Sequence, residues 1–252
     1  MSPARVGRVI RRCVALLLVL GLAGCGDAAA AQTGTVTVFA AASLTESFTT
    51  LGRQFEEAHP GNRVVFNFGG SSALATQINE GAPADVFAAA APANMATVTG
   101  AAAPVTFVRN QLVIAVTDGN PKRVTGLAGL TAPGLKVALC AESVPCGAAA
   151  ATALAAAGVS LTPVTLEQDV KAALAKVRFG EVDAALVYRT DAEASAADVD
   201  GIEFPESAKA INDYPIVLLK DAANPGGGQM FIDYVLSADG VRVLTEAGFQ
   251  AP

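Results

Sequence analysis

Histidine is almost missing from this chain of 252 residues, since His59 is the only one. It precedes Pro60 and Gly61, a context typical of a solvated turn. A catalytic triad or an imidazole-based metal site needs a histidine among its other members. The sequence therefore disfavours both, and we predict a protein that is not an enzyme, with no cofactor and no metal bound directly by side chains.

Basic residues are also scarce, with 17 Lys and Arg against 23 Asp and Glu. Four arginines lie within residues 1–24, which contain no acidic residue, so the rest of the chain has 13 basic and 23 acidic side chains. This balance excludes a basic patch for nucleic acid, and the overall field repels anions. Any anion site in this protein must therefore use local dipoles.

The chain also lacks a long apolar run near its start. The run Val14–Leu20 is shorter than the roughly 20 residues that a membrane-spanning helix needs. Arginines before it and small residues after it follow the order of an export signal, and Leu22–Cys25 resembles a bacterial lipobox. We predict a lipoprotein signal peptide over residues 1–24, lipidation of Cys25 and a lipidated tether over residues 25–34. These features would anchor the protein on the extracytoplasmic face of the cell membrane.

Cysteine is limited to four residues. Cys13 leaves with the signal peptide and Cys25 carries lipid, so Cys140 and Cys146 remain as a pair. Outside the cytoplasm we expect these two to form a disulfide, and two free buried thiols are the alternative.

Apolar residues make up 52% of the chain and charged residues 16%, which suits a large buried core. β-rich runs alternate with helical segments through short connections, a pattern that predicts an α/β fold with parallel sheets. The spacing of Ser43 and Glu46 predicts a capping box that opens a helix, and Thr165 and Gln168 predict a second. Pro145 should begin an alanine-rich helix that ends at Gly158.

Two such α/β sets occur along the chain. We predict two lobes with a ligand cleft between them and two crossing hinge segments, near residues 112–118 and 214–219. Lobe 1 would comprise residues 35–115 and 217–252, and lobe 2 residues 116–216.

Several segments should end a strand and begin a helix at the cleft. They are Ala42–Ser43, Ser71–Ser72, Val144–Gly147 and Asp169–Val170. A helix start has unpaired N–H groups and about half a positive charge, so four of them would offset about two negative charges. Taken singly, Ser43 and Ser71 are more typical of N-caps without a ligand than of ligand-binding residues.

A family resemblance strengthens the interpretation as an anion site. The matching motifs occur in order along the chain: Val38–Thr45, Phe68 with Ser71 and Leu74, Gly81–Phe87, Val144–Gly147, Asp169–Leu174 and Leu186–Tyr188. From about residue 35 to the C-terminus the sequence resembles the periplasmic molybdate-binding proteins of ABC importers. The resemblance implies the type II periplasmic-binding-protein fold and a molybdate or tungstate oxyanion bound through its oxygens.

The resemblance also implies the ligand-binding residues. They are the hydroxyls of Ser43, Ser71 and Tyr188 and the backbone amides of Cys146 and Val170. Alanine usually stands in that family where this chain has Cys146, but an amide donor does not depend on its side chain. A disulfide from Cys140 would stiffen this loop. The implied partners are an ABC permease and its ATPase, and we expect a monomer.

Three alternatives remain open from the sequence. A sulfate- or phosphate-binding protein would need only a different cavity size or a proton acceptor. A serine hydrolase would use Ser71, but Gly69–Ala73 lacks the second glycine of a nucleophile elbow. A purely structural lipoprotein would bind no ligand.

Overall fold

The computed structural model describes residues 33–252. The predicted signal peptide, the lipidation site Cys25 and most of the predicted tether lie outside the described residues. Strand β1 begins at Gly34, so the last residue assigned to the tether belongs to the fold. None of the helices in this part of the chain has the length and apolar character needed to cross a membrane.

Ten strands are present in residues 33–252. In chain order they are β1 (Gly34–Ala41), β2 (Asn62–Gly69), β3 (Val86–Ala88), β4 (Val105–Asn110), β5 (Leu112–Thr117), β6 (Val137–Cys140), β7 (Thr165–Glu167), β8 (Ala184–Tyr188), β9 (Val199–Ile202) and β10 (Asn212–Leu218). They form two five-stranded sheets, ordered β2-β1-β3-β10-β4 and β7-β6-β8-β5-β9. Each sheet is parallel in its first three strands and antiparallel beyond them.

Helices cover the sheets. They are α1 (Thr45–Ala58), α2 (Ser71–Asn79), α3 (Pro92–Met95), α4 (Pro145–Ala157), α5 (Val170–Arg178), α6 (Arg189–Glu193), α7 (Pro225–Leu236) and α8 (Ala238–Glu246). Strand β1 shows how the layers form, because its side chains alternate between two cores. Val38 packs in the cluster that contains Phe48 and Phe231, and Phe39 packs with Leu74 in a second cluster. The predicted α/β fold is confirmed.

The sheets divide the chain at other places than the predicted lobe boundaries. Strand β5 lies wholly in the second sheet and β10 wholly in the first, so the crossings fall at Gln111 and between β9 and β10. The boundaries at 115/116 and 216/217 would each cut a strand. Strand β5 pairs with β8 from Leu112, opposite Tyr188, to Val116, so its residues on both sides of the 115/116 boundary belong to the second sheet. Strand β4 forms one edge of the first sheet.

Both predicted capping boxes are wrong. A 3₁₀ turn at Ala42–Leu44 precedes α1, and the N-cap of that helix has no side-chain hydrogen bond. The second spacing falls on strand β7, and α5 is capped instead by Asp169, whose Oδ1 accepts from the Ala172 N–H at 2.9 Å. The spacing of a capping box is compatible with a helix start but does not enforce one. Residues 165–167 instead pair with β6 as a strand.

Helix α4 confirms its predicted limits. It runs from Pro145 to Ala157, and Gly158 ends it in the left-handed conformation with φ of +64°. The Cys140–Cys146 disulfide joins the end of β6 to the first turn of α4, with the two Cα atoms 5.8 Å apart. The disulfide prediction is therefore confirmed.

Candidate functional site

A small cavity lies between the two sheets, beyond the carboxyl ends of their parallel strands. Its lining residues are Ala41, Ala42, Ser43, Gly69, Gly70, Ser71, Ala90, Val144, Pro145, Cys146, Asp169, Val170 and Tyr188. All five residues that the sequence predicted for ligand binding are in this set. The cavity is small and suits a single small solute.

The two lobes are in contact at this cavity. A side chain at Gly70, in lobe 1, would overlap the backbone oxygen of Gln168, in lobe 2. Lys171 Nζ also lies 2.8 Å from Glu46 Oε2, and these residues belong to α5 and α1 on opposite lobes. The structure therefore shows the lobes closed around the cavity.

Three helices begin at the cavity wall. Ser71 and Val170 are the first residues of α2 and α5, and Cys146 is the second residue of α4. Their N–H groups lack an intrahelical acceptor because of their position, and the helix dipoles add about half a positive charge each. The fourth predicted helix start, at Ala42–Ser43, is a 3₁₀ turn instead.

Three hydroxyl groups complete the wall. The Oγ of Ser71 accepts a hydrogen bond from the Ala90 N–H at 3.0 Å, which leaves its own hydrogen free to donate. The Oγ of Ser43 lies 2.8 Å from the Tyr214 hydroxyl. The Tyr188 side chain is fully buried, and its hydroxyl has no hydrogen-bond partner within residues 33–252.

A buried hydroxyl without a partner is uncommon and costs about 1–3 kcal/mol. Burial raises the pKa of Tyr188 well above its ordinary value, so the hydroxyl keeps its proton. It can therefore donate to a group placed in the cavity.

The cavity wall contains no cationic counter-charge, although the Asp169 side chain lines it. The lining residues include no lysine or arginine, and Asp169 uses a carboxylate oxygen to cap α5. Lys171, next to the site in sequence, is committed to Glu46 and to the fully buried Asp191, whose Oδ1 lies 2.9 Å from its Nζ. Burial raises the pKa of Asp191 to about 6, against the opposing attraction of Lys171.

The sequence analysis did not identify three residues that lie next to this site. Tyr214 and Asn110 lie behind Ser43, and Asp191 lies behind Lys171. Strand β10 carries Tyr214, 171 positions from Ser43, so no local pattern joins the two residues. In residues 33–252 no cluster of three or more His, Cys, Asp or Glu side chains is arranged to hold a metal ion.

A closed cavity between two α/β lobes, surrounded by neutral donors, defines a receptor for a small anionic solute. The family model of bacterial extracellular solute-binding proteins matches residues 36–250, and the chain belongs to that family. The sequence is 42% identical over 251 residues to the molybdate-binding protein ModA of Mycobacterium tuberculosis, covering 95% of this chain and 96% of that protein. The family resemblance predicted from the motifs is confirmed.

Solved structures agree with the fold. The periplasmic molybdate-binding protein of Azotobacter vinelandii aligns with a TM-score of 0.73 at 20% identity, covering 86% of this chain and 99% of that one. The sulfate-binding protein SubI of Mycobacterium tuberculosis aligns with a TM-score of 0.72 at 17% identity, covering 86% of both chains. These two structures share the fold but are named for different oxyanions, so the fold does not identify the anion. The anion must be inferred from the site and from the relative with 42% identity.

Proposed function

We propose that this protein captures molybdate or tungstate in the cavity between its lobes and delivers it to an ABC importer. The observation that carries the proposal is a buried set of neutral donors contributed by both lobes. Ser43 and Ser71 come from lobe 1, and Cys146, Val170 and Tyr188 come from lobe 2. The 42% identity to a molybdate-binding protein over nearly the whole chain supports this choice of oxyanion.

The charge of the site suits a dianion. Three helix starts contribute about 1.5 positive charges, and the three hydroxyls add neutral donors that do not depend on pH near neutrality. Hydrogen bonds to a charged acceptor are each worth about 1.5–3 kcal/mol, so five of them would bind a small ion firmly. A protein with an acidic excess can in this way bind an anion without a counter-charge.

Sulfate and phosphate are the competing ligands. Hydrogen phosphate carries a proton that needs an acceptor, and Asp169, which caps α5 through Oδ1, is the one carboxylate among the lining residues. Sulfate has the charge and the tetrahedral shape of molybdate but shorter bonds, so it would reach fewer of the donors in a cavity fitted to the larger ion.

Calorimetric titration tests the assignment. The protein should bind molybdate and tungstate with 1:1 stoichiometry and show much weaker heats with sulfate and hydrogen phosphate. The variants Ser43→Ala and Ser71→Ala should each weaken molybdate binding about tenfold or more. Equal affinity for sulfate, or no heat with any of the four ions, would refute the proposal.

The function includes export and anchoring. We propose that residues 1–24 direct export, that lipid on Cys25 anchors the protein on the extracytoplasmic face, and that an ABC permease and ATPase accept the ion from a monomer that catalyses no reaction. Expression of Cys25→Ala tests the anchor. The variant should appear in the soluble extracytoplasmic fraction, and retention in the membrane equal to that of the unaltered chain would contradict lipidation.

The crossing segments provide the hinge in this proposal. We propose that Gln111 and the connection between β9 and β10 allow the lobes to separate and admit the ion. Small-angle scattering with and without molybdate should show a smaller radius of gyration in the bound state.

A further inference from the structure

A second tyrosine lies directly behind the cavity. Tyr214, on β10, is fully buried and is not part of the cavity wall. Its hydroxyl oxygen lies 2.8 Å from Ser43 Oγ and 3.5 Å from Asn110 Nδ2. Asn110 is the last residue of β4, the strand that pairs with β10. The three side chains therefore form a buried chain that ends at a serine of the binding site.

The amide of Asn110 sets the direction of this chain. Its Oδ1 accepts from the Gln111 N–H at 2.9 Å, which identifies the opposite atom as the NH₂ group. That group can only donate, and it donates to Thr190 Oγ1 at 2.9 Å and to the Tyr214 oxygen. The Tyr214 oxygen thus receives a hydrogen, and the tyrosine's own hydrogen is available for Ser43.

The length of the contacts favours one direction for the tyrosine hydrogen. The Tyr214 hydroxyl also interacts with the Tyr188 hydroxyl, which faces the cavity. Ser43 Oγ is at 2.8 Å, the ordinary length of a hydroxyl–hydroxyl hydrogen bond, so we infer that Tyr214 donates to Ser43. The hydrogen of Ser43 is then free to point into the cavity.

We propose that Asn110 and Tyr214 are positioning residues that fix the Ser43 hydroxyl as a donor to the bound oxyanion. The inference rests on the proposed function. In this arrangement the Ser43 oxygen accepts a hydrogen bond from a protein donor, as the Ser71 oxygen accepts one from the Ala90 N–H. With both serines held in this way, each has one lone pair occupied by a protein donor and directs its hydrogen at the anion, which disfavours accepting a hydrogen bond from a protonated ligand.

A double-mutant cycle on molybdate binding tests the proposal. Tyr214→Phe should raise the dissociation constant of the purified protein about tenfold, because Ser43 loses the partner that orients it. In the Ser43→Ala background the same change should alter the constant by less than about twofold, since residues that act through one another are not additive. Tyr234→Phe, a tyrosine outside the cavity wall, is the matched control and should have no effect in either background.

A merely structural role for Tyr214 gives the opposite result. Its replacement would then weaken binding by the same factor with or without the Ser43 hydroxyl, and that outcome overturns the inference. Failure of the unaltered protein to bind molybdate would instead refute the proposed function.

A specificity readout provides a second test. Without Tyr214 the Ser43 hydroxyl is free to rotate and accept, so the ratio of hydrogen phosphate to molybdate dissociation constants should fall, whereas the ratio of sulfate to molybdate constants should stay constant. If Tyr214→Phe does not fold, the cycle is run with Asn110→Ala, which removes the donor at the start of the chain and should show the same dependence on Ser43. An unchanged phosphate ratio, or an additive Asn110 cycle, overturns the proposal.

Discussion

Replacing Tyr188 by phenylalanine removes one oxygen atom from the wall of the cavity. In the closed structure this hydroxyl is fully buried and has no partner within residues 33–252. Its removal should therefore leave the ligand-free protein as stable as before, or more stable by up to about 1 kcal/mol. Molybdate would lose a donor to a charged oxygen, worth about 1.5–3 kcal/mol, so its dissociation constant should rise roughly tenfold to 150-fold.

The opposite signs of the two effects make this prediction sharp. Calorimetry gives the dissociation constants, and urea denaturation of ligand-free protein gives the free energies of unfolding. Tyr234→Phe is the control, because its hydroxyl is 3.4 Å from Gln54 Oε1 and away from the cavity wall. If Tyr188→Phe binds molybdate as tightly as the unaltered protein, the hydroxyl does not contact the ligand. If binding and stability fall together, its role is structural.

Three further predictions concern the surroundings of the cavity. Glu46→Gln removes the ion pair of Lys171 across the lobes, so stopped-flow measurements should show faster molybdate release, with a smaller salt dependence than in the unaltered protein. Because the folded pKa of Asp191 is raised to about 6, its contribution is fully stabilising below about pH 4 and is lost as the pH rises through 6. The free energy of unfolding of Asp191→Asn minus that of the unaltered protein should thus rise by about 3 kcal/mol as the pH rises through this interval. A difference that urea denaturation shows to be independent of pH would contradict the raised pKa of Asp191. Reduction of the Cys140–Cys146 disulfide should weaken molybdate binding through loosening of the α4 start, and calorimetry that gives the same constant with and without reductant would show that the bridge does not pre-organise the amide of Cys146.

Much of the site could be predicted from local sequence signals. Pro145 and Gly158 mark the limits of α4 because proline suits the first turn of a helix and glycine its left-handed end. The carboxyl ends of parallel strands lie at one edge of a sheet, so the segments that follow β1 and β2 had to lie close together. The five residues that the family resemblance implied as ligand-binding all line this one cavity.

The sequence could not predict how Ser43 is used. Its spacing to Glu46 is that of a capping box, yet its hydroxyl is held by Tyr214. The assignment of β5 and β10 to their sheets was also beyond the sequence, since the apolar pattern of a buried strand does not identify its neighbours.

The sequence by itself determined the class of fold and the limits of α4, because each depends on interactions between residues a few positions apart. Tertiary structure decided the cavity between the lobes, the ion pair between Lys171 and Glu46, and the contact of Ser43 with Tyr214. The pairing of β4 with β10 brings Asn110 and Tyr214 together from positions 104 residues apart. Such contacts depend on strand register and closure of the lobes, which no local segment specifies.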